Sequence, residues 1–560
     1  MNFPFIKKRK HFCIPFLISG SIFNMKYLAL LFCFTAVSVL ASAQLTSDKS
    51  LPSVKTANGL LQGTQVSGIS MFKGVAYAQP PVGELRWKEP QPLKNWEGTR
   101  RADHFAPRAM QLPIYSDMQF RSDGISEDCL YLNIWSPAKK QNEELPVLVY
   151  FYGGGFRAGD GSEYRYDGEN MARRGIVSIT VNYRLGVFGF LAHPDLTNES
   201  AHHASGNYGL MDQTEALRWI HKNIAAFGGN PENITIAGES AGSTSVCAQV
   251  ISPLPRNLFA AAIGESGSVL GYRPTASLQE AEKHGVQFAE NTGARSIHDL
   301  RAMSAQQILQ ATEKPGTDFP IDVDGYFFPE NPLTLYKAGK IARVPLLIGW
   351  NTGEGNWKGI LGNREPTVDN YIQSVKKIYG RDADQILKIY TVHSDADVQS
   401  VASALSNDRS VYSTWKWADQ HAKTNSQVYR YIFGQPRPGL RSAINQVPAS
   451  AEINSTSSKK PEEIGGAVHS AEIEYALGNL PTNRVYDWQP DDFMVSIIMQ
   501  NYFLNFIKTK NPNGPGLPYW PLYQSWQSDP VQYIGTDTHR EADIERPGFL
   551  LLEKSGSEDD

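Results

Sequence analysis

Gly238-Glu239-Ser240-Ala241-Gly242 sets a serine among small residues, after the apolar run ITIA at 234–237 and before a helix-compatible stretch, STSVCAQVI. A strand-to-helix turn of this kind is tight enough to strain the serine and to bring neighbouring backbone close, so side chains at 238 and 242 would not fit. The serine then stands at a helix N-terminus, where the dipole and free N–H groups favour a developing anion. The chemistry this suits is nucleophilic attack on a carbonyl carbon, with Ser240 as the attacking group. The pentapeptide alone recurs by chance in many chains; the strand before it and the helix after it carry the assignment. A partial echo, Gly264-Glu265-Ser266-Gly267-Ser268, lacks the closing glycine and reads as structural.

Attack on a carbonyl needs donors for the oxyanion, a base and a group to orient that base. The run LPVLVYFY at 145–152 leads into Gly153-Gly154-Gly155-Phe156, upstream of the serine. Glycines leave backbone N–H groups open to a ligand, so Gly154 and Gly155, with Ala241, are the candidate oxyanion donors; the bland reading is a plain turn. Loss of one such donor typically raises the barrier by about 2.7–4 kcal/mol. When a strand-to-helix serine is the nucleophile, the partners follow in the chain order serine, acid, histidine. Glu354, in Asn351-Thr352-Gly353-Glu354-Gly355, follows the apolar run VPLLIGW at 344–350, and His469 sits in a glycine-preceded loop, Gly465 to Ser470. Order alone leaves both open: glutamates abound on surfaces, and His393, His421 and His539 also lie downstream.

These groups must be held by something rigid. The runs at 145–152, 176–183, 234–237 and 344–350 are continuously hydrophobic, which implies strands covered on both faces. Between them lie helical patterns such as 212–226, where Ala216, Leu217, Trp219, Ile220 and Ile224 recur at helical spacing with Arg218, His221 and Lys222 outward. Strand and helix alternate, so the expected class is α/β with a mostly parallel central sheet. A length of 560 residues would allow several domains, but no fixed-period repeat or long Pro- or Ser-rich linker divides the chain, and 44–560 reads as one domain. The polar stretch 448–463 and the terminal SGSEDD read as flexible surface and a frayed acidic tail.

Residues 1–43 carry five Lys or Arg and no acid, with an almost wholly apolar stretch from 27 to 40 that ends in Ala41-Ser42-Ala43. The pattern is that of an export signal cleaved before Gln44, and the apolar stretch is too short to span a bilayer comfortably as a retained anchor. Met25 is an alternative start that leaves a tighter signal. No lipid-acceptor cysteine or twin arginine accompanies it, so the expected product is exported, periplasmic or extracellular, and free of the membrane after cleavage. Cleavage takes the formal charge from −4 to −9. An acidic chain without clustered Lys and Arg argues against nucleic acid or an anionic membrane as partner. Cys13 and Cys33 leave with the signal, and Cys129 and Cys247 remain, expected as buried free thiols.

From about Val54 to the C-terminal region the chain resembles the type-B carboxylesterase and cholinesterase family, in particular the bacterial para-nitrobenzyl-esterase-like carboxylesterases. The resemblance rests on FKGVAYA (72–78), PPVGELRW (80–87), EDCLYLNI (127–134), YGGGF (152–156), NYRLGVFGFL (182–191), GNYGLMDQ (206–213), the stretch 223–242 ending in GESAG, GEG around Glu354, HSAEIEYALG (469–478) and KTKNPNG (508–514). It implies an α/β-hydrolase fold with large insertions forming a gorge. It also implies a serine carboxylesterase acting on a small-molecule ester without metal or organic cofactor, in which Ser240 is the nucleophile, His469 the base and then acid, Glu354 the orienting carboxylate, and Gly154, Gly155 and Ala241 the oxyanion donors. Two departures stand out. The cysteine that pairs with that of EDCLYLN in many relatives is replaced, in the matching place, by Ala109, so Cys129 is expected unpaired. The loop between Ala109 and Cys129 has no Trp to face a quaternary ammonium, so a choline ester is not the expected substrate. Tyr115, Met118 and Phe120 in that loop are candidate substrate contacts, against simple surface packing. A binding or adhesion protein without catalysis is the rival class, and a thioesterase or amidase would share the same triad.

Overall fold

The computed structural model describes residues 51–271, 275–314, 317–441, 465–525 and 530–556. The export segment, the polar stretch 448–463 and the last four residues lie outside the described residues. From Pro52 onward the chain forms one compact unit.

Its centre is an eleven-stranded sheet built, in chain order, from β1 (Thr64–Val66), β2 (Ile69–Ala76), β3 (Tyr131–Ser136), β4 (Leu145–Phe151), β5 (Val177–Val181), β6 (Gly229–Glu239), β7 (Ala261–Glu265), β8 (Leu346–Asn351), β9 (Val428–Phe433), β10 (Pro530–Ile534) and β11 (His539–Ala542). Across the sheet the order is 11-10-9-8-7-6-4-5-3-2-1. Every pairing from β5 to β10 is parallel, while β1 to β3 and β11 close the two sides antiparallel. Strands β5, β7, β8 and β9 are buried at every residue, as continuous apolar runs require when both sheet faces are covered. Helices α1 (Tyr208–Asn223), α2 (Ala241–Ile251), α3 (Asp395–Ala422) and α4 (Pro490–Thr509) supply much of that cover.

Two boundaries differ from the sequence expectation. Helix α1 begins at Tyr208, not 212, because Tyr208, Gly209, Leu210 and Met211 are themselves buried. The side chain of its N-cap residue, Asn207, makes no cap bond and instead donates from its amide to Asp322 O at 2.8 Å, so a tertiary contact helps set the start. Strand β6 extends back to Gly229 through an irregular stretch, with Gly229 facing Leu145 before the register shifts at Ile234.

The parallel core has one consequence for chemistry. The C-terminal ends of β4, β6, β7 and β8 lie on the same edge of the sheet, and Gly153, Ser240, Ser266 and Glu354 all follow those ends within a few residues. Open α/β sheets bind ligands at this edge.

Candidate active site

Ser240 joins β6 to α2 with φ 57° and ψ −119°, a conformation that L-residues rarely adopt. The flanking glycines make the turn possible. A Cβ on Gly242 would lie 2.0 Å from Phe151 O, and one on Gly238 would lie 2.5 Å from the Gly242 carbonyl carbon, so neither position accepts a side chain. The strained serine is held from below by its own N–H, which donates to Glu265 O at 2.8 Å. Its carbonyl starts α2 by accepting from Thr244 N at 2.9 Å.

Beyond β4 the backbone turns through positive φ at Gly154 (112°), Gly155 (63°) and Phe156 (56°). The Gly154, Gly155 and Ala241 N–H groups have no acceptor among the described residues. Gly153 brings this turn against Ser240: the place its Cβ would occupy is 2.8 Å from Glu239 Oε2 and 3.1 Å from Ser240 Cβ.

Glu354 and His469, 115 residues apart, meet: His469 Nδ1 lies 2.5 Å from Glu354 Oε2. The two loops that carry them are stitched together, with Gly353 N donating to Ala467 O at 2.7 Å and Ala467 N to Thr352 Oγ1 at 2.9 Å. The other carboxylate oxygen, Glu354 Oε1, accepts from Ser266 Oγ (2.6 Å), Asn351 Nδ2 (2.9 Å) and Asn351 N (3.1 Å). Burial works against this charge, yet His469 and the donated hydrogen bonds hold the Glu354 carboxyl below the usual carboxylate range.

The third link differs from the expectation. No hydrogen bond joins Ser240 Oγ to His469; the imidazole Nε2 instead faces Glu239 Oε1 at 3.2 Å. Glu239 directly precedes Ser240, and its buried carboxyl group occupies the side of the imidazole that carries Nε2. Partial desolvation lowers the His469 pKa, but Glu239 and then Glu354 outweigh it and raise the imidazole to about 10. Burial raises Glu239 to about 8 and Glu472 to about 7. Imidazole and carboxyls thus form one coupled proton-holding cluster.

Of the competing histidines, His421 is fully buried, bonded to Tyr336 OH (3.1 Å) and Val344 O (2.7 Å), and burial lowers it to about 4. His539 sits on the edge strand β11 beside Glu541, and His393 is exposed ahead of α3. Neither sits in the Ser240 cluster. Among the loop candidates, Tyr115 and Met118 lie at the glycine turn: a Cβ on Gly155 would be 3.2 Å from Tyr115 OH, and one on Gly154 would be 3.0 Å from Met118 Cε. Phe120 instead packs under the Arg108 guanidinium at 4.9 Å. Cys129 and Cys247 are buried free thiols.

Four residues escaped the sequence reading as site residues: Glu239, Ser266, Asn351 and Glu472. Ser266, the partial echo read as structural, donates to the Glu354 carboxylate, and Asn351 Nδ2 bridges Glu354 to Glu472 Oε2 at 2.6 Å. The available signal was positional, since each stands at a parallel strand's end or within three residues of His469. A cavity of about 310 Å³ opens beside Gly155, walled by Leu112, Phe156, Phe188, Phe190 and Phe319, with Arg157 and Asp318 also lining it. Among the described residues, no group of three or more His, Cys, Asp or Glu is spaced to hold a metal ion, and no helix is long and apolar enough to cross a membrane.

A sequence model described as the Carboxylesterase family matches residues 50–547. The chain is similar to the fumonisin B1 esterase of Sphingopyxis macrogoltabida, 36% identical over 423 residues that cover 74% of this chain and 76% of the relative. It is similar to carboxylesterase 1E of Mus musculus, 31% identical over 560 residues, 91% of this chain and 95% of the relative. Among solved structures, the carboxylesterase EST55 of Geobacillus stearothermophilus superposes with a TM-score of 0.75 at 29% identity, covering 89% of this chain and 99% of that one.

Proposed function

We propose, from the premise that this chain belongs to the carboxylesterase family and is a carboxylic-ester hydrolase with the α/β-hydrolase fold, that it works through an acyl-enzyme formed on Ser240, with His469 as base and Glu354 as orienting carboxylate. The observation that carries this reading is the 2.5 Å contact between His469 Nδ1 and Glu354 Oε2, on the sheet edge that also holds the strained Ser240.

Ser240 Oγ attacks the ester carbonyl carbon while its proton passes to His469 Nε2. The carbonyl oxygen becomes an oxyanion received by the Gly154, Gly155 and Ala241 N–H groups. The intermediate collapses by breaking the bond to the alcohol oxygen, which takes the proton from His469. Water then attacks the acyl-enzyme along the same path and frees the acid and Ser240. Nε2 faces Glu239 in this arrangement, so the mechanism requires the imidazole to turn to Ser240 in the substrate complex, where catalytic hydrogen bonds often tighten. The cavity beside Gly155 takes a non-reacting part of the ester against its phenylalanine wall. Residues 44–560 act as one catalytic domain and 1–43 as the signal for its export.

A fluorophosphonate probe tests the reading: it labels the mature enzyme stoichiometrically at Ser240, located by peptide mass mapping. Label elsewhere, or none beside measurable ester hydrolysis, overturns it. Glu239 supports a second expectation. His469 acts as base only when neutral, above its pKa, and the Glu239 carboxylate raises that pKa. Glu239→Gln removes the charge, so the acid limb of the kcat/KM profile moves to lower pH by about one unit, at the low end of what a charge at this range produces. A limb that stays put, or moves to higher pH, shows that Glu239 does not set the base.

A further inference from the structure

Among the residues that line the cavity of about 310 Å³ beside Gly155, Arg157 and Asp318 are the charged ones. Both side chains are exposed, so a ligand in the cavity can reach them. Neither makes an ion pair or a side-chain hydrogen bond among the described residues. The hydroxyl protons on the lining are spent: Thr312 Oγ1 donates to Leu309 O at 2.6 Å, and Thr317 Oγ1 to Thr312 O and Lys314 O. The Arg157 guanidinium, a planar fork of N–H groups, is therefore the side-chain donor left for a ligand. Arg157 follows Gly155 on the turn whose Gly154 and Gly155 N–H groups also lack an acceptor, so a fixed positive charge and free amide dipoles share one side of the cavity. Asp318 comes from a separate segment that carries none of the triad or oxyanion residues.

We propose that the ester this enzyme prefers carries an anion, a carboxylate on its non-reacting part, which Arg157 receives while the adjoining carbon chain packs on Phe156, Phe188 and Phe319. The inference rests on the Ser240 reading and names a substrate class for it. Both oxygens of a carboxylate match the guanidinium fork, whereas a neutral chain of the same length leaves the guanidinium to water. The cavity is of a size to take a short chain but not a large ligand. A contact this far from the reacting carbonyl is made alike in the ground state and the transition state, so the preference falls on KM rather than on kcat. Asp318 opposes an anion and favours a cation, and the sign of the charge preference therefore decides which of the two side chains selects the substrate.

The test compares kcat/KM of the mature enzyme on the p-nitrophenyl esters of adipate (an anion), methyl adipate (neutral) and 6-(trimethylammonio)hexanoate (a cation), which share a leaving group. A second pair, the butyrate esters of 4-hydroxyphenylacetate and of its methyl ester, puts the carboxylate on the alcohol part instead. In at least one set the anion is preferred over the neutral ester by about fivefold through KM, a modest factor because the guanidinium is exposed and screened. Arg157→Gln lowers that anion-to-neutral ratio by about fivefold, and Arg157→Lys, which keeps the charge without the fork, restores part of it. No anion preference in either set, a preference for the cation over the neutral ester, or an unchanged ratio in Arg157→Gln overturns the proposal. The Ser240 reading is judged separately: turnover that survives Ser240→Ala sinks it and leaves the charge ratio measurable, whereas turnover lost in Ser240→Ala but indifferent to charge sinks only the substrate class.

Discussion

Ser240→Ala lowers kcat on a p-nitrophenyl short-chain ester by about 10⁶-fold, the scale seen when a triad nucleophile is removed, equivalent to about 8 kcal/mol of barrier. The change removes the oxygen that forms the acyl bond, and the oxyanion N–H groups keep only a small residual rate over water. Stability moves little, by about 0.5 kcal/mol or less, because Ser240 Oγ makes no hydrogen bond that the substitution leaves unpaired, and alanine carries the same positive φ as serine. Thermal melting and ester turnover on one preparation check both parts. More than about one-hundredth of the parent rate, with the fold intact, removes Ser240 from the mechanism.

Glu354→Gln lowers kcat by about 10⁴-fold while the protein stays folded. The hydrogen bonds around Glu354 decide the direction. Its Oε1 position accepts from Ser266 Oγ, Asn351 N and Asn351 Nδ2, so a glutamine places its carbonyl oxygen there and turns its NH₂ toward His469. His469 Nδ1 must then accept rather than donate, which puts the ring proton on Nε2, the nitrogen that has to receive the serine proton. Glu354→Asp keeps an all-acceptor carboxylate and retains more activity than the glutamine variant, although its shorter reach lengthens the 2.5 Å contact. A kcat within tenfold of the parent in Glu354→Gln assigns the orienting role to another carboxyl, with Glu239 the first to examine because its Oε1 lies 3.2 Å from the imidazole.

The two site segments legible in the chain are those whose geometry is local. At 238–242 and at 153–155 the need is for residues without a Cβ, and glycine announces that need in the sequence wherever the backbone passes within about 3 Å of a neighbour or turns through positive φ. The buried strands were legible for a similar reason: an apolar run that must be covered on both faces is apolar at every position. Between His393, His421, His469 and His539, by contrast, residue type and chain order did not choose, and only family resemblance did so. What separates them physically is the partner each meets in space. His469 meets Glu354 across 115 residues, while His421 is spent on Tyr336 and Val344. Likewise no local rule distinguishes Phe120 from Tyr115 and Met118, or marks Ser266, Asn351 and Glu472 as the hydrogen-bonding surround of Glu354; those roles exist because four parallel strands end on one edge. The facing of His469 toward Glu239 has the same origin, since adjacency to Ser240 in the chain says nothing of where a side chain points. Backbone strain and continuous burial are written residue by residue, whereas a hydrogen bond between distant loops depends on the sheet that brings them together.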